Sequence, residues 1–391
     1  MKVINDPRYF AILKSIRNDL LKNISLNFSG SSPPEIFVGE FNYPNINTGI
    51  LAPINHDENS NRLSSPEEWF KARLNENEIL LNRASMVYSR FTSNVKPNNK
   101  LTAVMQEVSM TEKPTDVGFE LKKKPTLNFK LDGFHKPIFN PAPLKNARLE
   151  ENPIVSKRVE YIVSDNDLKA NGAVLDLYSH DTSISNINRL LSAGLLGINI
   201  QRKLVPTKWA ITCVDDIVSR HLSEKAKQYQ QINEYLLFYD EYLGNHYEIL
   251  LMPRHFSFEV IEARYNEDIS KINFWRDYES HCKRKEYASS VTGAYYANKL
   301  AILEYMEKIK RQASILVLRE IKDYNIPCGV GILREVTRNA MSKNPLTFNN
   351  INSAMESIKT RLKMPVNLFL NKSLMLKEIK EQTTMAQFFG K

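Results

Sequence analysis

Three pairs of carboxylates stand close enough in the chain to raise the question of metal chemistry. Asp165 and Asp167 are two residues apart, a spacing at which two carboxylates and a third from elsewhere can share a divalent cation. Asp215 and Asp216 are adjacent in VDDIVSRHL. Glu259 and Glu262 fall in FSFEVIEARY, which alternates like a strand; a separation of three there puts them on opposite faces and argues against a shared ion. Each set also has a plainer reading. Asp165 suits the N-cap of a helix and Asp167 its first turn. Asp215 and Asp216 suit the first turns of a helix expected to begin near Thr212, with Asp216 and Arg220 as an i,i+4 pair. None of these sets is a known nuclease signature. Asp165, Asp167, Asp215 and Asp216 are therefore weak catalytic candidates, and Mg²⁺ or Mn²⁺ is a cofactor only if they form a nuclease site.

Other catalytic and metal signals are absent from the sequence. The seven histidines are scattered, and the three cysteines, Cys213, Cys282 and Cys328, have no zinc-site spacing. There is no phosphate-binding GKS/T loop and no dinucleotide-type glycine pattern, which argues against an ATP-driven motor or a dinucleotide enzyme.

The basic candidates point to phosphate. Arg202, Lys203 and Lys208 sit beside Pro206 and Trp209, just ahead of a helix, where such a cluster can hold phosphate near the helix N-terminus. Arg334 and Arg338 in REVTRNAM are four apart on an expected helix, so both can point toward a phosphate backbone. Arg319-Glu320 and Arg334-Glu335 also read as surface charges that offset each other. Tyr295 and Tyr296 invite base stacking, but Ala294, Ala297, Leu300 and Ala301 around them favour a core position. Lys122, Lys123 and Lys124 read as a solvated face.

The chain ends EQTTMAQFFGK. Gln382, Met385, Phe388 and Phe389 follow the order glutamine, two residues, an aliphatic residue, two residues, two aromatics. That pattern arises by composition in about 1 in 10,000 windows. It resembles the PCNA-interacting motif by which repair proteins dock on the sliding clamp. One tight helical turn puts Met385, Phe388 and Phe389 on one side as an apolar plug, and the glutamine amide can bond the pocket rim. The alternative is that both rings pack back on the body.

The elements that must position these residues are legible in part. Residues 7–24 carry Phe10, Leu13, Ile16, Leu20, Leu21 and Ile24 at helical spacing. IFVG and GIL read as short strands around a Tyr43-Pro44 turn. SPEEWFKARLNENEILLNRASMVYSRF reads as helix, with Ser65 as N-cap and Pro66 at the first position. Residues 93–155 carry recurrent prolines, so extended segments are expected, LTAVMQEVSM and VGFEL among them. SDNDLKANGAVLDLYSHD and SISNINRLLSAGLLG read as helices. YLLFYDEYL and YEILLMP flank Gly244-Asn245 as a hairpin, and FSFEVIEARY adds a third strand. A long helix over EYASSVTGAYYANKLAILEYMEKIKRQ, a strand at ASILVLREI and a strand running into a helix at GVGILREVTRNAM complete the reading. The fold class is α+β: an antiparallel sheet packed by helices, with a mobile C-terminal tail.

Bulk composition fits that picture. The 391 residues are 42% hydrophobic and 25% charged, enough for a sizeable core. The formal charge of +9 suits a polyanionic partner without establishing one. Few, widely spaced cysteines and an N-terminus without an apolar h-region point to the cytoplasm, and no run is long enough to span a membrane.

RKLVPTKWAITCVDD, residues 202–216, is similar to the signature of the archaeal Nre DNA repair family, with Lys208 where arginine is usual and Cys213 where alanine is. PPEIFVGEFNYPNINTGILAP, SAGLLG, LGNHYEILLMPRHFSFEVIE, YASSVTGAYYANKLAILE, RQASILVLREI and PCGVGILREVTRNAM also resemble the family's blocks, in its order. The resemblance implies an N-terminal family region over 1–270, a C-terminal one over 271–380 and a clamp-binding tail at 381–391. It implies a repair factor that works with the PCNA sliding clamp, DNA and possible further repair enzymes as partners. Many members begin with a cysteine-rich module that this sequence lacks, and no catalytic residues carry over. The expected function is clamp recruitment through the tail with weak DNA binding by Arg202, Lys203, Lys208, Arg334 and Arg338. The alternatives are a metal-dependent nuclease or other nucleic-acid-processing enzyme tethered to the clamp, and a clamp regulator that makes no DNA contact.

Overall fold

The computed structural model describes residues 2–3, 7–126, 130–131, 135–282, 284, 286–324 and 326–381. Gln382, Met385, Phe388 and Phe389, with the whole tail expectation, lie outside the described residues. The chain divides into two units, Met1–Val218 with Ile326–Ile332, and Ser219–Asn325 with Leu333–Lys391. Each is built on a six-stranded sheet with helices against it, so the α+β reading holds.

In the first unit the strand order is Asn27–Ser32, Thr115–Leu121, Pro141–Leu149, Val87–Asn94, Asn45–Ala52, Glu35–Val38. The pairs are antiparallel except Val87–Asn94 with Pro141–Leu149. Two segments of this unit take the opposite element type to the one expected. LTAVMQEVSM is a helix, Lys100–Met110, not an extended segment. Asn99 caps it, its side chain accepting the N–H of Thr102 at 2.9 Å. Thr102, Met105, Val108 and Ser109 form the buried stripe, a helical period that outweighs the β-branched composition. SMVYSRF runs the other way, from expected helix to the strand Val87–Asn94, whose second half alternates buried and exposed positions. Ser65 does cap a helix, Pro66–Lys71, and accepts the N–H of Glu68.

In the second unit the order is Phe274–Glu279, Ser257–Arg264, Ser314–Ile321, Asn245–Met252, Tyr235–Tyr242, Leu346–Phe348. Ser257–Arg264 and Ser314–Ile321 run parallel, and the helix Thr292–Ile309 lies in the connection between them, as a parallel crossover requires. The strands Asn245–Met252 and Ser314–Ile321 are buried along their whole length, because helices cover both faces. Leu237, Leu250, Ile261, Leu316 and Leu318 pack on Ala354, Ile358 and Phe369 of the C-terminal helices. On the opposite face Phe258 meets Tyr295 and Phe238 meets Tyr305, edge to face. Tyr295 and Tyr296 are thus core residues, at 1% and 2% exposure.

The hairpin loop is Leu243-Gly244, one residue earlier than the sequence suggested. Both residues have positive φ, 47° and 68°, as a two-residue loop of this hand demands. A Cβ at Gly244 would also come 1.7 Å from the Lys322 carbonyl oxygen. Asn245 instead opens the next strand, donating to the Tyr242 and Leu243 carbonyls. GVGILREVTRNAM carries no strand: Val330–Ser342 is helical, with Val330, Leu333, Val336 and Ala340 buried at helical intervals. No helix among the described residues is long and apolar enough to cross a membrane.

Candidate nucleic-acid interface

The segment 192–209 is fastened along its length. Ser192 ends the helix Ile184–Ser192. Its hydroxyl donates to the Val205 carbonyl at 2.8 Å, and its own carbonyl accepts the Val205 N–H at 3.0 Å. Gly194 has φ +72°, and a Cβ there would approach the Lys203 carbonyl to 2.7 Å, so only glycine lets the two strands of this loop close. The helix that follows begins at Thr207, not Thr212, with the Pro206 carbonyl accepting the N–H groups of Trp209 and Ala210.

Arg202 acts as the clip. Its guanidinium donates to the carbonyls of Gly197 at 2.7 Å, Val163 at 2.8 Å and Asp165 at 2.5 Å. Burial lowers its pKa, opposed by the charge of Asp165. Asp165 is not an N-cap: it terminates the helix Lys157–Ser164, and its carboxylate accepts the N–H groups of Asp167 and Leu168, both at 2.9 Å. Those two donors, ahead of Arg202, hold its carboxyl below the usual carboxylate range. Lys203, next to the clip, is exposed. Lys208 is half-buried and lies 3.7 Å from Glu40.

A second segment, FVGEFNYP at 37–44, is tied to the first. The Val38 N–H donates to the Thr207 hydroxyl at 2.9 Å. Val95 bridges both, its N–H donating to the Pro44 carbonyl at 2.9 Å and its carbonyl accepting the Leu204 N–H at 2.7 Å. These bonds gather residues 38–44, 95–96 and 203–209, and Lys96 beside the bridge is exposed. The same segments present aromatic rings to solvent: Phe41 at 67% exposure, Tyr43 at 48% and Trp209 at 50%. Tyr161, at 59%, stands on the helix that Arg202 clips, with the Arg158 guanidinium 5.1 Å from its ring. These four are the exposed aromatic side chains among the described residues of the first unit. Sequence reading passed over Phe41, Tyr43 and Tyr161. The signal was available for Tyr161, since Val159 and Ile162 mark the buried stripe of its helix and leave it outside.

The other basic expectation is corrected. Arg334 is 1% exposed, so it cannot meet a phosphate backbone. Arg338 is held by carboxylates, bidentate to Glu304 at 2.8 and 2.7 Å and to Glu335 at 2.8 Å. Arg319 is no surface charge either; it is buried against Glu262 and Asn245. Glu320 is fully buried, accepting the N–H groups of Lys363 and Met364.

Asp215 is buried within the helix Thr207–Ala226, well past its first turn; Asp216 follows it half-buried, and Asp167 is exposed. Glu259 accepts bonds from Ser373, Leu374 and Met375, while Glu262 turns to Arg319 on the other face. Burial, ahead of those bonds, raises the pKa of Glu259. Among the described residues no three His, Cys, Asp or Glu side chains are placed to hold a metal ion. Lys122, Lys123 and Lys124 are exposed.

Two family models match the chain: archaeal Nre, N-terminal, over residues 6–269, and archaeal Nre, C-terminal, over 279–388. The sheet of the second unit takes strands from both regions. The chain is 33% identical over 367 residues to DNA repair protein NreB of Archaeoglobus fulgidus, covering 92% of each. It is 34% identical to DNA repair protein NreA of the same organism, over 92% of this chain and 89% of that one. To DNA repair protein NreA of Haloferax volcanii it is 32% identical, over 87% and 83%. No solved structure matches.

Proposed function

The chain belongs to the archaeal Nre family, and from that premise we propose that it is a DNA repair factor that contacts DNA through its first unit and is recruited by the sliding clamp. The names of its relatives support the repair role. One observation carries the DNA contact: the segments 38–44, 95–96 and 203–209 are bonded into one region, and its segments expose Lys96, Lys203 and three aromatic rings. Charge of this kind gives weak, sequence-independent binding. The tail supplies the rest. Gln382, Met385, Phe388 and Phe389 fit a clamp pocket by residue type and spacing, and tethering raises local concentration on DNA without tight intrinsic affinity.

Titration of the full chain against the sliding clamp of the same cell tests recruitment. Phe388→Ala with Phe389→Ala is expected to abolish measurable clamp binding, each ring contributing about 2 kcal/mol or more, with the melting temperature unchanged. Unchanged clamp affinity in the double variant refutes the recruitment step. Cells lacking the chain are expected to lose survival after DNA damage, and the double variant should restore it only in part.

A further inference from the structure

The exposed aromatic residues name a ligand more specific than DNA in general. Resting on the reading of the first unit as a DNA-contacting surface, we infer that this face binds single-stranded DNA by stacking unpaired bases on Trp209, Phe41 and Tyr43.

Four observations carry this. The first is placement. Phe41, Tyr43, Tyr161 and Trp209 are the aromatic side chains exposed among the described residues of the unit, and every one stands on a segment bonded to 202–209. Rings left in water cost hydrophobic stabilisation unless a ligand covers them, and four scattered over a unit of this size would not be expected on one set of linked segments. The second is rigidity. The Ser192–Val205, Thr207–Val38 and Val95–Leu204 bonds tie down the backbone of these segments, which lowers the backbone ordering cost at binding. The third is the company they keep. Lys96 and Lys203 are exposed on the same bonded segments as the rings, whereas protein interfaces are depleted in lysine. The fourth is the small number of cations. Tight duplex binding draws on roughly 6 to 10 phosphate contacts, whereas the bonded segments 38–44, 95–96 and 202–209 carry four cations, with the Arg202 donors turned to three carbonyls and Lys208 3.7 Å from Glu40. A duplex also hides the faces of its bases. A single strand exposes them, and stacking on an aromatic ring accepts every base alike.

The test uses the full chain and a fluorescein-labelled single strand of about 20 nucleotides, with the same sequence as a blunt duplex for comparison. At low salt the single strand is expected to bind about 10-fold tighter or more than the duplex. Trp209→Ala and Phe41→Ala should each weaken single-strand binding about 5-fold or more and leave duplex binding unchanged. Both side chains are exposed, so the variants should melt as the wild type does. Lys203→Ala should weaken both forms alike. As a second readout, single-stranded DNA should quench tryptophan emission in the wild type and not in Trp209→Ala.

Equal affinity for the two forms, with Trp209→Ala binding as the wild type, overturns the stacking inference and leaves the DNA contact standing. Binding of neither form at low salt overturns both, and a protein partner becomes the occupant of this face.

Discussion

The segment 202–209 of the first unit and the helix Val330–Ser342 both carry closely spaced cations, and the fold uses them in opposite ways. Around Arg338 two glutamates close on the guanidinium, one from the helix Thr292–Ile309 and one from the preceding turn of its own helix. Around Arg202 the acceptors are backbone carbonyls, which take hydrogen bonds without cancelling charge. Lys203 beside it has open solvent. The difference teaches that spacing of arginines does not identify a phosphate site. What decides is how many carboxylates the tertiary fold brings within reach.

The strongest way to break this comparison is Arg338→Ala. It strips three charge-assisted bonds from Glu304 and Glu335, which are only about a quarter and a sixth exposed, 24% and 16%. We expect a loss of about 2–3 kcal/mol in denaturant unfolding, below the figure for fully buried pairs because water still reaches the site. DNA affinity per folded molecule should not change. Unfolding at the wild-type midpoint together with weaker DNA binding would return Arg338 to the list of DNA contacts.

Arg202→Ala should act on both properties. Three carbonyls lose a charged donor, for a cost of about 2 kcal/mol. The Gly197 and Val163 ends of the loop are then no longer drawn together, so Lys203 loses its fixed position and single-strand affinity falls as well. Arg202→Lys should recover little, because one ammonium on a flexible stem cannot serve the three carbonyls as a planar fork does. A normal melting temperature with reduced affinity would instead make Arg202 a direct phosphate ligand.

How much of this was legible in the sequence follows from the range of each signal. Local signals held. Ser65 and Pro66 began their helix, and the alternation in YLLFYDEYL and YEILLMP gave a hairpin with its loop displaced by one residue. Composition misled where it conflicted with period: the valines and threonine of LTAVMQEVSM suggested a strand, but Thr102, Met105 and Val108 repeat at helical spacing. The site was legible as a motif and not as a surface. RKLVPTKW announced its cations; nothing in those residues says that Arg202 folds back on carbonyls of 163–197 or that Lys208 reaches toward Glu40. Phe41 and Tyr43 lie over 150 residues from Trp209 in the sequence, and the bonds that gather their segments, Thr207 to Val38 and Leu204 to Val95, depend on the tertiary fold. Arg334 and Arg338 failed for the same reason in reverse, since the glutamate that holds Arg338 comes from 34 residues away.

Lys203→Ala sharpens the comparison most finely, because it should leave the fold alone. Its side chain is exposed, and the bond of its neighbour Leu204 to Val95 is made by the backbone, which the substitution keeps. Stability should stay within about 0.5 kcal/mol of the wild type. DNA affinity should drop for single strand and duplex alike, and the slope of log affinity against log salt should become shallower by about 1, the signature of one lost phosphate contact. The pair of readouts matters more than either. Arg338→Ala should move the unfolding midpoint and not the salt slope; Lys203→Ala should move the slope and not the midpoint. If Lys203→Ala leaves the slope intact, the positive charge of the first unit is not what DNA meets. The exposed rings would then have to be explained without a phosphate backbone beside them.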